Sequence, residues 1–257
     1  MNAAEQWIAL VTIVTKEVRR FMRIWTQTLL PPAITMVLYF VIFGSLIGGR
    51  IGKMEGFEYA SFVAPGLIMM SVLTNAYSNV VSSFFGNKFS KCIEELLVSP
   101  TPTYIILAGY VAGGVTRGLL VGGVVTLVSL FFTEIHIHNI AIVIVTVLLT
   151  ATLFALAGLI NGVYARNFDD VNLIPSFVLT PLTYLGGIFY SISLLPEFWQ
   201  GVSKFNPILY MVNAFRYGFL GISDINVAWA LSVIFVFIII LTGIALRLLE
   251  RGKGLRS

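Results

Sequence analysis

The chain has 257 residues, of which 58% are hydrophobic and 11% are charged. Soluble domains carry charge on about a quarter of their residues, so this composition, with a mean hydropathy of +0.93, excludes an ordinary water-soluble fold. The formal net charge is +4, but the basic residues lie in small groups between apolar runs, which favours lipid headgroups over nucleic acid as their partners. The sequence therefore predicts an all-α integral membrane protein with six transmembrane helices, forming a single domain over residues 1–257.

The N-terminal segment, residues 5–24, is predicted to be an interfacial amphipathic helix. Apolar residues recur at mostly helical spacing, and four basic residues gather toward its far end: Lys16, Arg19, Arg20 and Arg23. The first span follows at about residues 25–48. It contains Pro31-Pro32, which lack backbone donors and are expected to kink or restart the helix near its start.

A second apolar run covers about residues 59–85, and the longest clearly polar interval follows it at residues 87–103. Within this interval apolar residues line one side of a helical pattern and charged residues line the other. Ser99-Pro100 ends the pattern. We therefore expect a short amphipathic helix between the second and third spans.

The third span, at about residues 104–132, carries Gly114, Gly118 and Gly122 on one helix face, which permits close helix packing. The remaining spans are predicted at about residues 140–164, 171–190 and 227–249. Residues 191–226 are too polar and interrupted for a clean span. We expect two short helices there, broken at Asn206-Pro207 and dipping partly into the membrane.

The positions of lysine and arginine predict that both termini face the cytoplasm, because cytoplasmic loops carry the excess of these residues. With that orientation the inner segments hold Lys16, Arg19, Arg20, Arg23, Lys88, Lys91, Arg166, Arg247, Arg251, Lys253 and Arg256, and the outer segments hold only Arg50, Lys53, Lys204 and Arg216.

Polar residues inside the second and third spans need partners, since an unpaired charge at the membrane centre costs several kcal/mol. They are Asn75, Asn79 and Arg117. Two interpretations remain open: hydrogen bonding between helices, or a polar pathway that contacts transported material.

No residue pattern indicates a catalytic, cofactor or metal site. His136 and His138 lie beside Glu134, but a lone H-x-H is weak, and a solvated loop explains it better. Cys92 is the only cysteine and is interpreted as a free thiol. The phosphate-loop pattern G-x-x-x-x-G-K-[ST] is missing, so ATP cannot bind here in the usual way. An energy-driven process would therefore take its energy from another protein.

Three of these predicted features together resemble the ABC-2 type permeases. They are the amphipathic helix before the first span, the acidic amphipathic helix after the second, and the broken helical pair before the sixth. The resemblance covers essentially the whole chain and includes FVAPGLIMMSVLTNAYSN, IEELLVSPTP and NPILYMVNAFRYGFLG. It implies the permease subunit of an ATP-binding cassette exporter in the bacterial inner membrane.

The resemblance also implies partners and residue roles. Two copies of the chain are expected to form the substrate path as a homodimer, joined by the first and fifth spans. A separate subunit that binds ATP and magnesium would drive them. The family's coupling helix, which docks into a groove on the ATPase, is matched by Ile93, Glu94, Glu95, Leu96 and Leu97; the re-entrant outer helices that cap the exit path are matched by residues 191–220, with Asn206, Pro207 and Arg216.

In the coupling helix, leucine and isoleucine would fill the groove while the two carboxylates meet basic residues at its rim. The transported compound cannot be read from span composition. The main alternative is a membrane anchor or channel-like scaffold without a transport cycle, which substrate-stimulated ATPase activity would exclude.

Overall fold

The structure is a computed structural model that describes residues 1–134 and 136–252. Lys253 and Arg256, two of the residues used for the orientation, lie outside the described residues. The regular secondary structure of the described part is helical apart from one short hairpin, β1 (Lys53–Met54) and β2 (Phe57–Glu58). The helices are α1 (Ala3–Arg23), α2 (Trp25–Tyr39), α3 (Gly48–Ile51), α4 (Tyr59–Phe89), α5 (Cys92–Val98), α6 (Thr103–Ser129), α7 (Ile140–Tyr164), α8 (Phe168–Ile174), α9 (Thr180–Tyr184), α10 (Glu197–Ser203), α11 (Pro207–Leu220) and α12 (Val227–Arg251).

The predicted N-terminal helix is confirmed as α1, and Ile24 separates it from α2. Asn2 and Glu5 form a capping box that satisfies two of the free backbone N–H groups at its start. Its buried face is narrow: Ile13, Glu17 and Phe21 follow one another at four-residue spacing. Helix α1 therefore packs on the bundle, with a carboxylate at the centre of the contact.

In the first span the chain stays helical through both prolines. Helix α2 contains Pro31 and Pro32 and ends at Tyr39, where a π-helical segment, Phe40–Ile47, continues it toward α3. The expected restart at Pro31-Pro32 is therefore not observed. The change in helical winding lies farther along the span.

Among the described residues, five helices are long and apolar enough to cross a membrane, one fewer than predicted. They are Trp25–Ile51, Tyr59–Phe89, Thr103–Ser129, Ile140–Tyr164 and Val227–Arg251.

The span missing from these five is the predicted fifth one, which forms a helix too short to cross the membrane on its own. Residues 168–184 form one helical run that contains a π-helical turn at Pro175–Leu179. At about 1.5 Å per residue this run is about 25 Å long, less than the ~30 Å of the hydrocarbon core. It ends before Gly186-Gly187, and Gly187 has a positive φ of 70°, which glycine adopts readily.

Helix α4 lies at the centre of the bundle, and glycines bring α6 and α7 close to it. A Cβ at position 118 would lie 3.1 Å from the Val72 carbonyl oxygen, and one at position 158 only 2.5 Å from that of Tyr77. The predicted glycine face of the third span is thus confirmed as a close helix contact. The end of the bundle at which α4 begins is called the hairpin end. The end at which α4 finishes is called the α5 end.

The break predicted at Asn206-Pro207 is confirmed. Asn206 caps α11 by accepting a hydrogen bond from the Ile208 N–H at 3.0 Å, and Pro207 occupies the first helical position. The Asn206 amide also donates to the Leu182 carbonyl at 2.6 Å. The junction between helices α10 and α11 is therefore fixed to α9.

Candidate coupling and transport sites

The predicted amphipathic helix in residues 87–103 is α5, which follows α4 after a tight turn. Lys91 makes the turn with a positive φ of 60° and precedes the first residue of the helix. The Ile93 side chain is fully buried in a cluster with Phe84 and Tyr110. Leu96 and Leu97 pack half-buried against the same cluster. Helix α5 is therefore attached to α4 by its apolar side, within an apolar cluster that also includes residues of α6.

The opposite side of α5 is open. Glu94 and Glu95 are exposed, and Val98 is 87% exposed. Phe89, at the end of α4, is 64% exposed beside them. The structure therefore changes one expectation: Ile93 lies in the core of its own chain and cannot fill a groove on another protein, whereas Val98 and Phe89 are open and Leu96 and Leu97 are partly open.

A row of polar side chains runs along α4 at four-residue spacing and faces α1 and α6. Asn75 accepts a hydrogen bond from Arg117 at 3.3 Å, and Asn79 accepts one from Arg20 at 2.7 Å. Nearer the α5 end, the Asn87 amide donates to the Tyr110 hydroxyl at 2.8 Å. The row consists of Asn75, Asn79, Ser83 and Asn87.

Glu17 of α1 completes this network, and sequence reasoning missed it. Its carboxylate is fully buried, accepts a hydrogen bond from the Ser83 hydroxyl at 2.7 Å and lies 3.4 Å from the Arg20 guanidinium. Glu17 packs against Gly113 of α6, where an added Cβ would lie only 2.6 Å from the Glu17 Cβ. The sequence does carry a signal for this buried acid, because Glu17 lies between Ile13 and Phe21 on the apolar stripe of the helix.

Arg117 is the farthest of these polar groups from the α5 end. One guanidinium nitrogen donates to Asn75, whereas its buried Nε has no hydrogen-bond partner. The side chain borders a cavity of about 320 Å³ between α2 and the α4–α6 pair. Hydrogen bonding between helices, one of the two open interpretations, is therefore present, and the cavity leaves room for the other.

The remaining predicted residues lie at the hairpin end. Arg216 is buried, donates to the Gly187 carbonyl at 2.6 Å and lies 4.0 Å above the Phe62 ring. Because α5 follows the other end of α4, about 40 Å of helix separates these sites. His138 packs edge-on against Tyr217, and in the part of the chain that the structure describes no group of three metal-ligating side chains occurs.

These features describe a helical membrane protein with a short acidic helix fixed at one end and a capped helical pair at the other. The chain belongs to the ABC-2 type transporter family, which it matches over residues 8–220. It is therefore a multi-pass transport permease, the membrane subunit of an ABC transporter rather than its catalytic subunit, and this family implies an ATP-binding partner. The predicted family is confirmed.

Individual relatives agree with this assignment. The chain is 62% identical over 251 residues to the inner membrane transport permease YadH of Escherichia coli strain K12, which covers 98% of both chains. The YadH protein of Shigella flexneri matches equally well. Nodulation protein J of Rhizobium leguminosarum bv. viciae is 24% identical over 216 residues, 84% of this chain and 83% of that protein.

Proposed function

We propose that two copies of this chain form the membrane path of a bacterial inner-membrane exporter, driven by a separate subunit that binds ATP and magnesium. The observation that carries the proposal is the placement of α5. This helix presents two carboxylates and Val98 outward while its apolar side is fixed in the core. Such a surface suits a groove with a basic rim, and a firm attachment lets a push on α5 reach the bundle.

The proposal includes a sixth crossing formed by residues 168–190. Two contacts support it. Phe168 stacks edge-on against Phe85 with ring centroids 5.0 Å apart, and a Cβ at Gly66 would lie 2.8 Å from the Ile188 carbonyl. The segment thus runs antiparallel to α4 over nearly its whole length. Six crossings place both termini on the same side, and the lysine and arginine positions make that side the cytoplasm.

The proposed dimer joins the first and fifth spans of the two copies. Apolar side chains on both segments are open in the single chain: Leu30, Ile34 and Leu38 are 47%, 58% and 55% exposed at four-residue spacing, and Phe177 is 74% exposed. Pairing these faces would place the cavity beside α2 near the subunit boundary. A path between subunits would then include Arg117.

Transport would follow alternating access. ATP-driven closure of the partner dimer pushes on α5, and Ile93 passes the push into the apolar cluster that it shares with Phe84 of α4 and Tyr110 of α6. The polar row on α4 then moves against Arg20 and Arg117, and the path between the two permeases opens. This step depends on contacts at two neighbouring helices rather than on the exposed side of α5 alone.

The experiment that tests this function is affinity purification of the chain from its native membrane in mild detergent, followed by mass spectrometry. We expect a stoichiometric subunit that contains a phosphate-binding loop, and ATPase activity that a substrate stimulates after reconstitution. Recovery of the chain as a dimer without such a subunit would contradict the proposal. A bound ATPase without any transport cycle would leave the chain as a membrane anchor.

Labelling of Cys92 tests the orientation, because this exposed residue of α5 is the only cysteine in the chain. A membrane-impermeant maleimide is expected to modify it in inside-out vesicles and to leave it unmodified in intact spheroplasts. The matched variant combines Cys92→Ser with Ser193→Cys, which moves the thiol to an exposed position at the hairpin end. It should label in the reverse pattern. Labelling of both thiols from one side would rule out the proposed orientation.

A further inference from the structure

Arg117 holds a charge near the middle of the bundle without an acidic partner. Within the described ranges, 1–134 and 136–252, one ion pair is formed, between Glu17 and Arg20, and Arg117 takes no part in it. The hydrogen bond to Asn75 is 3.3 Å long, and Nε is buried without a partner. A cation at this depth needs polar partners, hydration or an anion, and the single hydrogen bond to Asn75 leaves most of the Arg117 donors without a protein partner.

The cavity next to Arg117 has a lining that suits an amphiphilic molecule. Its volume is about 320 Å³. Ser71, Thr74 and Asn75 give it a polar wall close to the guanidinium, while Met36, Tyr39 and Met70 give it an apolar wall. No acidic side chain borders it, so an anion entering the cavity meets no repulsive charge among its lining residues.

A polar stripe on α4 connects this cavity with the α5 end. Thr74 and Ser82 are exposed and Ser78 is half-buried, although most of α4 is buried. Arg20 lies beside the stripe, one helical turn nearer the α5 end than Arg117, because it binds Asn79 while Arg117 binds Asn75. Glu17 balances the charge of Arg20, so the unbalanced positive charge along this stripe is that of Arg117, at its inner end.

We propose that this cavity binds the anionic headgroup of an amphiphile, a phosphate or a carboxylate, with Arg117 as the anion-binding residue. The guanidinium suits this ligand because its planar donors match the oxygens of both groups. The apolar wall of Met36, Tyr39 and Met70 would hold the hydrocarbon part. This inference rests on the proposed transport function and adds to it the chemical class of the substrate.

Binding of dodecyl phosphate to the purified chain tests the inference. The chain is kept in dodecyl maltoside micelles, whose headgroup is neutral, and native mass spectrometry counts the bound dodecyl phosphate. We expect dodecyl phosphate to bind at least about tenfold more tightly than dodecyltrimethylammonium. Arg117→Gln should lower the affinity for dodecyl phosphate by about tenfold or more, and Arg117→Lys should retain it. Arg50→Gln, at an exposed arginine of the hairpin end, should bind as the unmodified chain does.

Thr74→Trp provides a second test that leaves the arginine in place, since Thr74 is exposed and borders the cavity. A filled cavity should lower dodecyl phosphate binding as strongly as Arg117→Gln does. Unchanged binding in both variants would overturn the inference, and so would equal displacement by inorganic phosphate, which would indicate a site for free anions. These binding measurements need no ATPase, so their failure is distinguishable from absence of the ATP-binding partner.

Discussion

Replacement of both Glu94 and Glu95 by lysine is expected to uncouple transport while the bundle remains folded. The two carboxylates are exposed on α5, and neither forms a hydrogen bond or ion pair with residues 1–134 or 136–252. Their reversal should therefore leave the core unchanged. At a groove with a basic rim, however, like charges brought together cost several kcal/mol, which lowers partner affinity by more than about tenfold.

The measurements are co-purification of the ATP-binding subunit and ATP-dependent transport by the reconstituted pair. Glu94→Gln with Glu95→Gln should give a smaller loss, because it removes attraction without adding repulsion. Glu58→Lys with Glu134→Lys is the matched control, since both acids are exposed at the hairpin end. Full partner binding and transport in the lysine variant of α5 would refute the role proposed for this helix.

Part of any loss in the lysine variant would come from α5 itself. Glu94 and Glu95 lie in its first turn, where negative charge is favourable and positive charge costs up to about 1 kcal/mol. Circular dichroism cannot resolve seven residues in a mostly helical chain, so the Gln variant is needed as the intermediate. Both causes predict a graded loss from Glu through Gln to Lys, so the size of the loss decides: one well beyond what about 1 kcal/mol per residue produces would assign the effect to the docking surface.

Much of the fold was predictable because the sequence marks the helix ends. Asn139 and Asn226 cap α7 and α12, and Asn206 with Pro207 starts α11. Each of these signals is local, since one polar side chain binds a backbone N–H a few residues ahead. Helix boundaries in a membrane protein also follow from hydropathy, which is a property of the segment alone.

The length of the helix after Phe168 was not predictable in the same way. The apolar pattern continues beyond Tyr184, and hydropathy alone therefore extended the span to about residue 190. Packing decides where this helix ends: a Cβ at Gly186 would lie 2.7 Å from Ile208, a residue of α11. The approach of α11 and the positive φ of Gly187 turn the chain before the helix reaches full span length.

In the candidate site, too, local sequence predicted some features, and tertiary packing determined the others. An amphipathic pattern identified the apolar side of α5, but the pattern cannot state whether that side meets the chain's own core or another protein. The burial of Ile93 in the cluster that also contains Phe84 and Tyr110 is a property of the three-dimensional packing. Likewise, the bond between Glu17 and Ser83 joins residues 66 positions apart, and no local signal connects them.

Gly158→Ala is expected to destabilise the bundle strongly although it adds one methyl group. Helix α7 crosses α4 so closely there that the new Cβ would lie 2.5 Å from the Tyr77 carbonyl oxygen and 3.2 Å from its carbonyl carbon. These are backbone atoms of a long central helix, so they cannot move without shifting α4. Overpacking of this kind costs about 1–3 kcal/mol or more, and it outweighs the gain of about 1 kcal/mol from replacing glycine by alanine in a helix.

The thermal unfolding midpoint of the purified chain in dodecyl maltoside measures this effect, and we expect a decrease of about 5 °C or more. Gly123→Ala is the matched control, because the added Cβ would meet no atom within 4 Å. That variant should keep the stabilisation that alanine gives over glycine in a helix, and it should unfold at the same or a slightly higher temperature. Equal midpoints for the two variants would mean that α4 and α7 do not approach each other as closely as the Gly158–Tyr77 distance indicates.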